Sequence, residues 1–246
     1  MFPHLAHFGP VTFPTYGAVA ALGLVLATLL AARCARLVHV SDEAVWNLCL
    51  ISAAGTLFFS RLAIIAQVPG AFLHYPMYIL TLPTVTRYGL LAAVLTGVGY
   101  ALLKRLPLLR TADALTPGVL LLLAALHLGS LFAGDDLGSP TQLPMGHWIR
   151  GDRGYHPVAL YSAVLSLVAV ALTFLYLRSG HRAGETFGLG LALAALSRFF
   201  IDQLRPDYVL PDAFVGDFLR VDQVVIIGIV AAGMAFFLRR QERKHA

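Results

Sequence analysis

Charge is what this sequence has least of. Only 13% of its 246 residues are Asp, Glu, Lys or Arg, while 58% are hydrophobic. Soluble domains carry about 25% charged residues, so a chain of this composition is an integral membrane protein. Once the spans are counted, no length remains for a separate soluble domain, and residues 1–246 are expected to form a single integral-membrane domain. Cysteine is scarce as well. Cys34 and Cys49 have no CxxC spacing and no His at metal-ligand distance in sequence. They read as two free thiols near one membrane face, not as a disulfide or a metal site, and no metal or other cofactor is expected. The N-terminus lacks the basic region of a cleaved signal peptide, so the first apolar segment is expected to stay as a span. The net charge of +5 is scattered over span ends instead of gathered in a patch, which argues against a nucleic-acid partner.

What is present is a series of long apolar runs. A helix needs about 20 residues to cross hydrocarbon, and seven stretches reach or approach that length, near 16–35, 44–67, 88–106, 113–134, 157–178, 185–204 and 219–239. The expected fold is therefore all-α and polytopic, with about seven transmembrane helices. Orientation follows from Lys and Arg. Arg33, Arg36, Lys104, Arg105, Arg110, Arg178, Arg182, Arg239, Arg240, Arg243 and Lys244 fall on one side. Only Arg87, Arg150, Arg153, Arg205 and Arg220 fall on the other, and Arg61 and Arg198 lie within spans. This asymmetry predicts an outer N-terminus, a cytoplasmic C-terminus, and chemistry carried out from the outer leaflet. The long loops, Asp135, Asp136, His147, His156 and the Asp207–Asp217 region all belong to that outer face.

Few polar groups interrupt the apolar runs. The stretch Leu126 to Gly146 carries a helix without Asp, Glu, Lys or Arg (Ala114 to Gly134) straight into a Gly/Asp/Pro-rich segment. His127, Ser130 and Gly134 stand at i, i+3 and i+7, on one helical face, and Asp135 and Asp136 follow where the apolar run stops. Ionisable and polar groups inside a membrane mark function or glue helices together. Arg61 follows seventeen residues without charge. It must pair, reach water by snorkelling to the outer face, or serve a buried site. Tyr16 fits an ordinary interfacial aromatic, and Arg87 with Tyr88 an anchor at the start of the third span. His156 precedes Pro157, which suits a first helical position, and Tyr161 lies one turn further on. This histidine is placed to cap the helix, to act as a base or to meet a phosphate. Arg198, Asp202 and Arg205 share one face. The first two can pair, which leaves Arg205 as a surplus positive charge suited to an anionic headgroup. Arg220 and Asp222 fit an interfacial pair at the start of the last span.

Taken together these residues resemble, in order along the whole chain, the bacterial prolipoprotein diacylglyceryl transferases. Tyr16-Gly17 resembles the family's opening YG, and Ser60-Arg61-Leu62 its GRI/ARL. Gly129, Gly134-Asp135, Gly138, Pro140-Thr141 and Leu143-Pro144 resemble the signature GRxGNFxNGExxGxPTxLPWG. His156-Pro157 with Leu160-Tyr161 resembles HPxxLYE, and Arg198-Phe199, Asp202 and Arg205-Pro206 resemble RFxxExxR-P. The sequence departs from these patterns at several positions. His127 stands for the signature arginine, Ser130 and Ala133 for its two asparagines, and Asp135 for its glutamate. Arg87-Tyr88-Gly89 replaces an HGG, and Ser162 replaces the last glutamate of HPxxLYE. One reading is that the family's His and Arg have exchanged places, with Arg87 and His127 supplying the pair.

The resemblance implies an enzyme of the bacterial plasma membrane that moves diacylglycerol from phosphatidylglycerol to the thiol of a lipobox cysteine in a preprolipoprotein, releasing glycerol phosphate. It implies catalytic roles among His127, His156, Asp135 and Arg87. It implies substrate binding by Arg61, Ser130, Tyr161, Arg198, Asp202 and Arg205, in contact with membrane lipid. A second class stays open: a divergent, non-catalytic lipid-binding or lipoprotein-assembly protein on the same scaffold. The substituted signature favours it, and the retained polar groups argue against it. A transporter fits less well, because broken-helix repeats are not visible and the polar groups collect at one face.

Overall fold

A computed structural model of the chain describes residues 4–8, 11–74, 85–142, 154–180, 182–205, 214–215 and 219–241. His147, Arg150, Arg153, His245, most of the Asp207–Asp217 stretch and the side chains of Arg220 and Asp222 lie outside that description. Strands β1 (His4–Phe8) and β2 (Val11–Pro14) pair antiparallel and lead directly into helix α1 (Thr15–Leu37). Helix α2 (Asp42–Gln67) follows, then the short α3 (Pro69–His74), α4 (Arg87–Leu103) and α5 (Leu108–Ala133). Next come α6 (Val158–Arg178) and α7 (Glu185–Asp202). A two-residue pair, β3 (Phe214–Val215) with β4 (Leu219–Arg220), then precedes α8 (Val221–Gln241).

The seven apolar runs thus coincide with seven long helices, within a few residues at most ends. The largest difference is at α5, which starts at Leu108 and not near 113. Its first two turns contain Arg110, Thr111 and Asp113, and no apolar pattern marks them. Yet Thr111 and Asp113 are buried, because these turns pack into the bundle. Four helices, α1, α2, α5 and α6, are long and apolar enough to cross a membrane. Helix α4 and residues 224–235 of α8 form shorter apolar helices, and α7 carries Glu185, Arg198 and Asp202 within its length. The protein is all-α in its bundle and polytopic.

Local chemistry sets the helix ends. The Ser41 hydroxyl accepts from the Ala44 amide at 3.2 Å and starts α2, and Thr86 does the same for α4 through Gly89. These caps satisfy amides that have no intrahelical partner. At the end of α5, Gly134 takes a left-handed φ of 84°, a conformation glycine adopts without the steric penalty of a Cβ.

Small residues fix how closely the helices approach. Helix α1 lies on α5, and a Cβ on Gly118 would come 2.6 Å from the Ala27 carbonyl oxygen. Backbones this close gain dispersion along their whole contact, the usual source of helix association in lipid. Helix α5 also carries α6 and α7, whereas α4 packs chiefly on α2 and α8 chiefly on α7. The molecule is a central group of α1, α5, α6 and α7 with a two-helix arm, α2 and α4, joined to it chiefly through α1 and also where α4 touches α5. At one end of the bundle Cys34, Val45, Ala114 and Leu177 form a buried apolar cluster. Cys34 and Cys49 are free thiols.

That same end holds an unusual helix start. Asp113 of α5 accepts hydrogen bonds from the backbone amides of Gly184 and Phe187, the latter at 2.8 Å. A carboxylate from one helix thereby caps another that begins 71 residues later. The charge also faces the positive end of the α7 dipole. Beside it Glu185 is buried and accepts from the Arg182 amide at 3.1 Å and the Tyr176 hydroxyl at 3.2 Å.

Candidate functional site

At the opposite end of the bundle the polar residues gather around the corner that follows α5. Its path is set by two left-handed residues, Gly134 and Asp136 (φ 60°), so the chain reverses within a few residues. It is then strapped to two other segments. The Gly138 amide donates to the His156 carbonyl at 2.9 Å, and the His156 amide donates to Ser139 at 3.0 Å. The Ser139 amide and hydroxyl both donate to the Leu204 carbonyl, at 2.8 and 3.1 Å. Thr141 bonds back to Gly154 at 2.8 Å. Gly138 sits where all three meet: a Cβ there would fall 2.6 Å from Val158 Cγ2 and 2.8 Å from both His156 Cβ and the Leu204 oxygen. The end of α5, the start of α6 and the end of α7 are therefore joined at one place.

Across this junction runs a row of four alternating charges. Asp136 Oδ2 accepts from Arg205 Nη2 at 2.8 Å. Arg205 Nε lies 3.2 Å from Asp202 Oδ1, an ion-pair distance without hydrogen-bond alignment. Asp202 Oδ2 accepts from Arg198 Nε at 2.7 Å. Side-chain exposure along the row is 21% for Asp136, 12% for Arg205, 0% for Asp202 and 49% for Arg198. A carboxylate so completely removed from water requires the two guanidiniums that flank it. Arg198 ends the row with its two Nη groups making no bond to any described residue.

The expected pairing of Arg198 with Asp202 is present. The expected surplus charge on Arg205 is not, and that reading is corrected: two carboxylates hold Arg205, and the more exposed guanidinium of the row is that of Arg198. The partner responsible, Asp136, stands 69 residues earlier, where the apolar run that carries His127 stops. Helical periodicity along α7 could not show it.

His127 is half-buried on α5, within electrostatic reach of Asp136, Arg205 and Arg198. Gly129, two residues on, lies against Tyr16: a Cβ there would meet the Tyr16 ring at 3.1 Å and its carbonyl oxygen at 3.4 Å. Tyr16 thus packs at the contact of α1 with α5. The side chain of His156 does not cap α6. Pro157 occupies the cap position without a side-chain bond, one residue before the helical position expected for it. The His156 Nδ1 is buried with no hydrogen-bond partner among the described residues. Its ring lies 6.2 Å from that of Tyr161.

The remaining candidates come from α5, the corner after it, α2 and α4. Asp135 is exposed and donates its amide to the Ser130 carbonyl at 3.0 Å. Ser130 itself is half-buried on α5. Arg61 is half-buried on α2, next to Ser60, whose hydroxyl accepts from the Thr86 amide at 3.0 Å. Arg87 is exposed and turns to its neighbour Tyr88, with Nη2 3.3 Å from the hydroxyl and the guanidinium 5.1 Å from the ring centre. No contact joins Arg87 to His127, so the suggested exchange between them gains no support from the geometry. Among the described residues no three His, Cys, Asp or Glu side chains gather as metal ligands.

Comparison with known proteins finds matches along nearly the whole chain. The family model described as "Prolipoprotein diacylglyceryl transferase" matches residues 3–239. Among the similar proteins, one from Bacillus cytotoxicus is 27% identical over 98% of this chain and 92% of its own length. One from Clostridioides difficile is 25% identical over 94% and 92%, and one from a Nostoc species is 26% identical over 95% and 87%. All three are named phosphatidylglycerol–prolipoprotein diacylglyceryl transferases.

Proposed function

The chain belongs to the prolipoprotein diacylglyceryl transferase family, and from that premise we propose which of its groups carry the reaction. The protein is a membrane transferase that moves diacylglycerol from phosphatidylglycerol to a prolipoprotein thiol. The acceptor is the cysteine of a lipobox, presented at the outer face of a bacterial plasma membrane. The chain crosses that membrane seven times with its N-terminus outside, an orientation that the Lys/Arg asymmetry favours. In this frame the corner after α5, His156 and the end of α7 lie at the outer leaflet.

The reaction makes two demands. The thiol must lose its proton, since the thiolate is the nucleophile. The bond from the glyceryl carbon to the phosphate oxygen must break as the carbon–sulfur bond forms. The electron pair of the broken bond then leaves on the phosphate, which turns from a monoanionic diester into a dianionic monoester. Stabilising that growing charge with groups already in position is the largest contribution a site of this kind can make. The observation that carries the reading is the four-charge row, with Arg198 at its open end. Asp202 holds the Arg198 Nε at 2.7 Å and so aims the two Nη groups, which can take two phosphate oxygens at once. Arg205 is held behind it and steadies Asp202.

The thiol proton goes to a histidine. His127 stands beside the charge row and His156 beside the strap, and either imidazole in its neutral form can accept it. Tyr161, Ser130 and Asp135 line the approach for the glycerol headgroup, and Arg61 supports the lipid from the α2 arm. The direct test is transfer of labelled diacylglycerol from phosphatidylglycerol to a lipobox peptide in detergent. Label on the peptide cysteine is the expected result. A folded protein that binds the lipid but transfers nothing would point instead to a non-catalytic member of the family.

A further inference from the structure

Arg205 is the most strongly held cation of the site, and the way it is held bears on what the site binds. Its two contacts are with Asp202 on its own side of the row and Asp136 across the junction, at 3.2 and 2.8 Å. With Arg198 and Asp202 already paired, the row contains two guanidiniums and two carboxylates and has no net formal charge. The charge of Asp202 is faced by Arg198 and Arg205 at ion-pair distance without any help from Asp136. What Asp136 does is occupy Nη2 of Arg205, a guanidinium that would otherwise be open to phosphate as a second ligand beside Arg198. Its backbone is left-handed, a conformation that disfavours most side chains but that Asp tolerates better than most, and the straps at Gly138 and Ser139 fix the corner in that path.

We infer that Asp136 is a specificity-determining residue: it keeps Arg205 occupied so that the site binds a monoanionic phosphodiester through Arg198 and does not clamp a dianionic phosphomonoester between two arginines. The inference rests on the transferase reading, and there the distinction separates substrate from product. The donor lipid is a phosphodiester with one negative charge. The leaving glycerol phosphate is a monoester, with close to two negative charges above its second pKa near 6. A site offering both arginines would hold the product more tightly than the substrate and turn over slowly. Asp136 sets one of the two cations aside and places a like charge next to the product's second negative charge.

The test compares two soluble competitors at pH 8: glycerol phosphate, a monoester, and glycerophosphoglycerol, a diester of the same headgroup. In the parent protein the two should inhibit label transfer within a few-fold of each other. In Asp136→Asn, and in Asp136→Ser as a second variant, glycerol phosphate should inhibit about tenfold more strongly, the scale of one charge-assisted contact at a partly exposed site. The diester should change much less. Asp136→Glu, which restores the carboxylate, should return the ratio toward that of the parent. A merely structural role would lower activity without moving the ratio, and that outcome overturns the inference. So does a parent protein that already prefers the monoester tenfold or more, a measurement that needs no variant to fold. If the parent transfers no label, the transferase reading fails. The same ratio is then read by calorimetric titration of the two competitors into the detergent-solubilised protein, and a monoester preference in the parent still overturns the inference.

Discussion

Removing Arg205 and removing Arg198 should damage this protein in different ways, and the charge row says by how much. Arg205→Ala takes away a guanidinium that is 12% exposed and contacts two carboxylates. Asp136 can turn to water, being 21% exposed, but Asp202 is fully buried and loses one of the two guanidiniums that flank it. Breaking a fully buried pair costs about 3–5 kcal/mol. With one partner retained and the other carboxylate able to resolvate, about 2–3 kcal/mol is the expected loss of stability here. Arg198→Ala removes a side chain that is 49% exposed, and Asp202 keeps Arg205. A pair that open to solvent contributes little to stability, about 0–1 kcal/mol. Its loss should appear in catalysis, at about 1.5–3 kcal/mol for a charge-assisted bond to phosphate, or about ten- to a hundredfold in kcat/KM. Thermal unfolding in mixed lipid–detergent micelles, together with label transfer to a lipobox peptide, reads both quantities on the same samples. Arg205→Ala should melt clearly lower than the parent and Arg198→Ala should not. Equal melting of the two variants, or full activity in Arg198→Ala, would refute the assignment of one as anchor and the other as ligand.

Further outcomes follow from other parts of the structure. Arg198→Lys should recover only part of the lost rate, because an ammonium cannot offer two parallel donors; complete recovery would show that charge alone suffices. Gly138→Ala should destabilise by about 1–3 kcal/mol, the usual cost of overpacking, since its Cβ would fall within 2.8 Å of three other atoms; an unchanged melting temperature would mean that the strap is slack. Between His127→Ala and His156→Ala, the variant lacking the true base should lose most rate near neutral pH and recover as rising pH ionises the thiol. The parent rate should fall as pH drops, because protonating that histidine removes the neutral ring, the only form that accepts a proton. Cysteines placed at Ser139 and His245 should be labelled from outside and only after permeabilisation, respectively. The reverse pattern would invert the membrane orientation.

Most of the architecture is legible in the sequence, because a lipid-facing helix has to announce itself through an uninterrupted apolar run. The site is legible only where its geometry is local. Arg198, Asp202 and Arg205 share a face by helical periodicity, and that pairing could be read three and four residues at a time. Which of two adjacent acids, Asp135 or Asp136, turns inward depends on a φ of 60° at the corner, and no pattern of residue types fixes that. The partner of Arg205 comes from another helix end, so its charge looked unbalanced when α7 was read alone. Tyr16 carried an ambiguous signal for the same reason: its neighbour Gly129 lies on a helix far away in sequence. The start of α5 was missed because polar residues there are buried by partners that arrive later in the chain.

Helices α5 and α7 are tied to each other twice, and at opposite ends. At one, Asp113 of α5 holds the amides that open α7; at the other, Asp136 just beyond α5 holds Arg205 just beyond α7. Two rails pinned at both ends cannot slide past one another, since a shift of a single turn would have to release both pins together. Nor can they splay at one end without straining the other. Compliance must then reside in parts fastened mainly on one side, and the α2–α4 arm, joined to the rest chiefly through α1, is such a part. Mechanical loading of the molecule should find α5 and α7 moving as one body, with displacement of that arm as the soft direction.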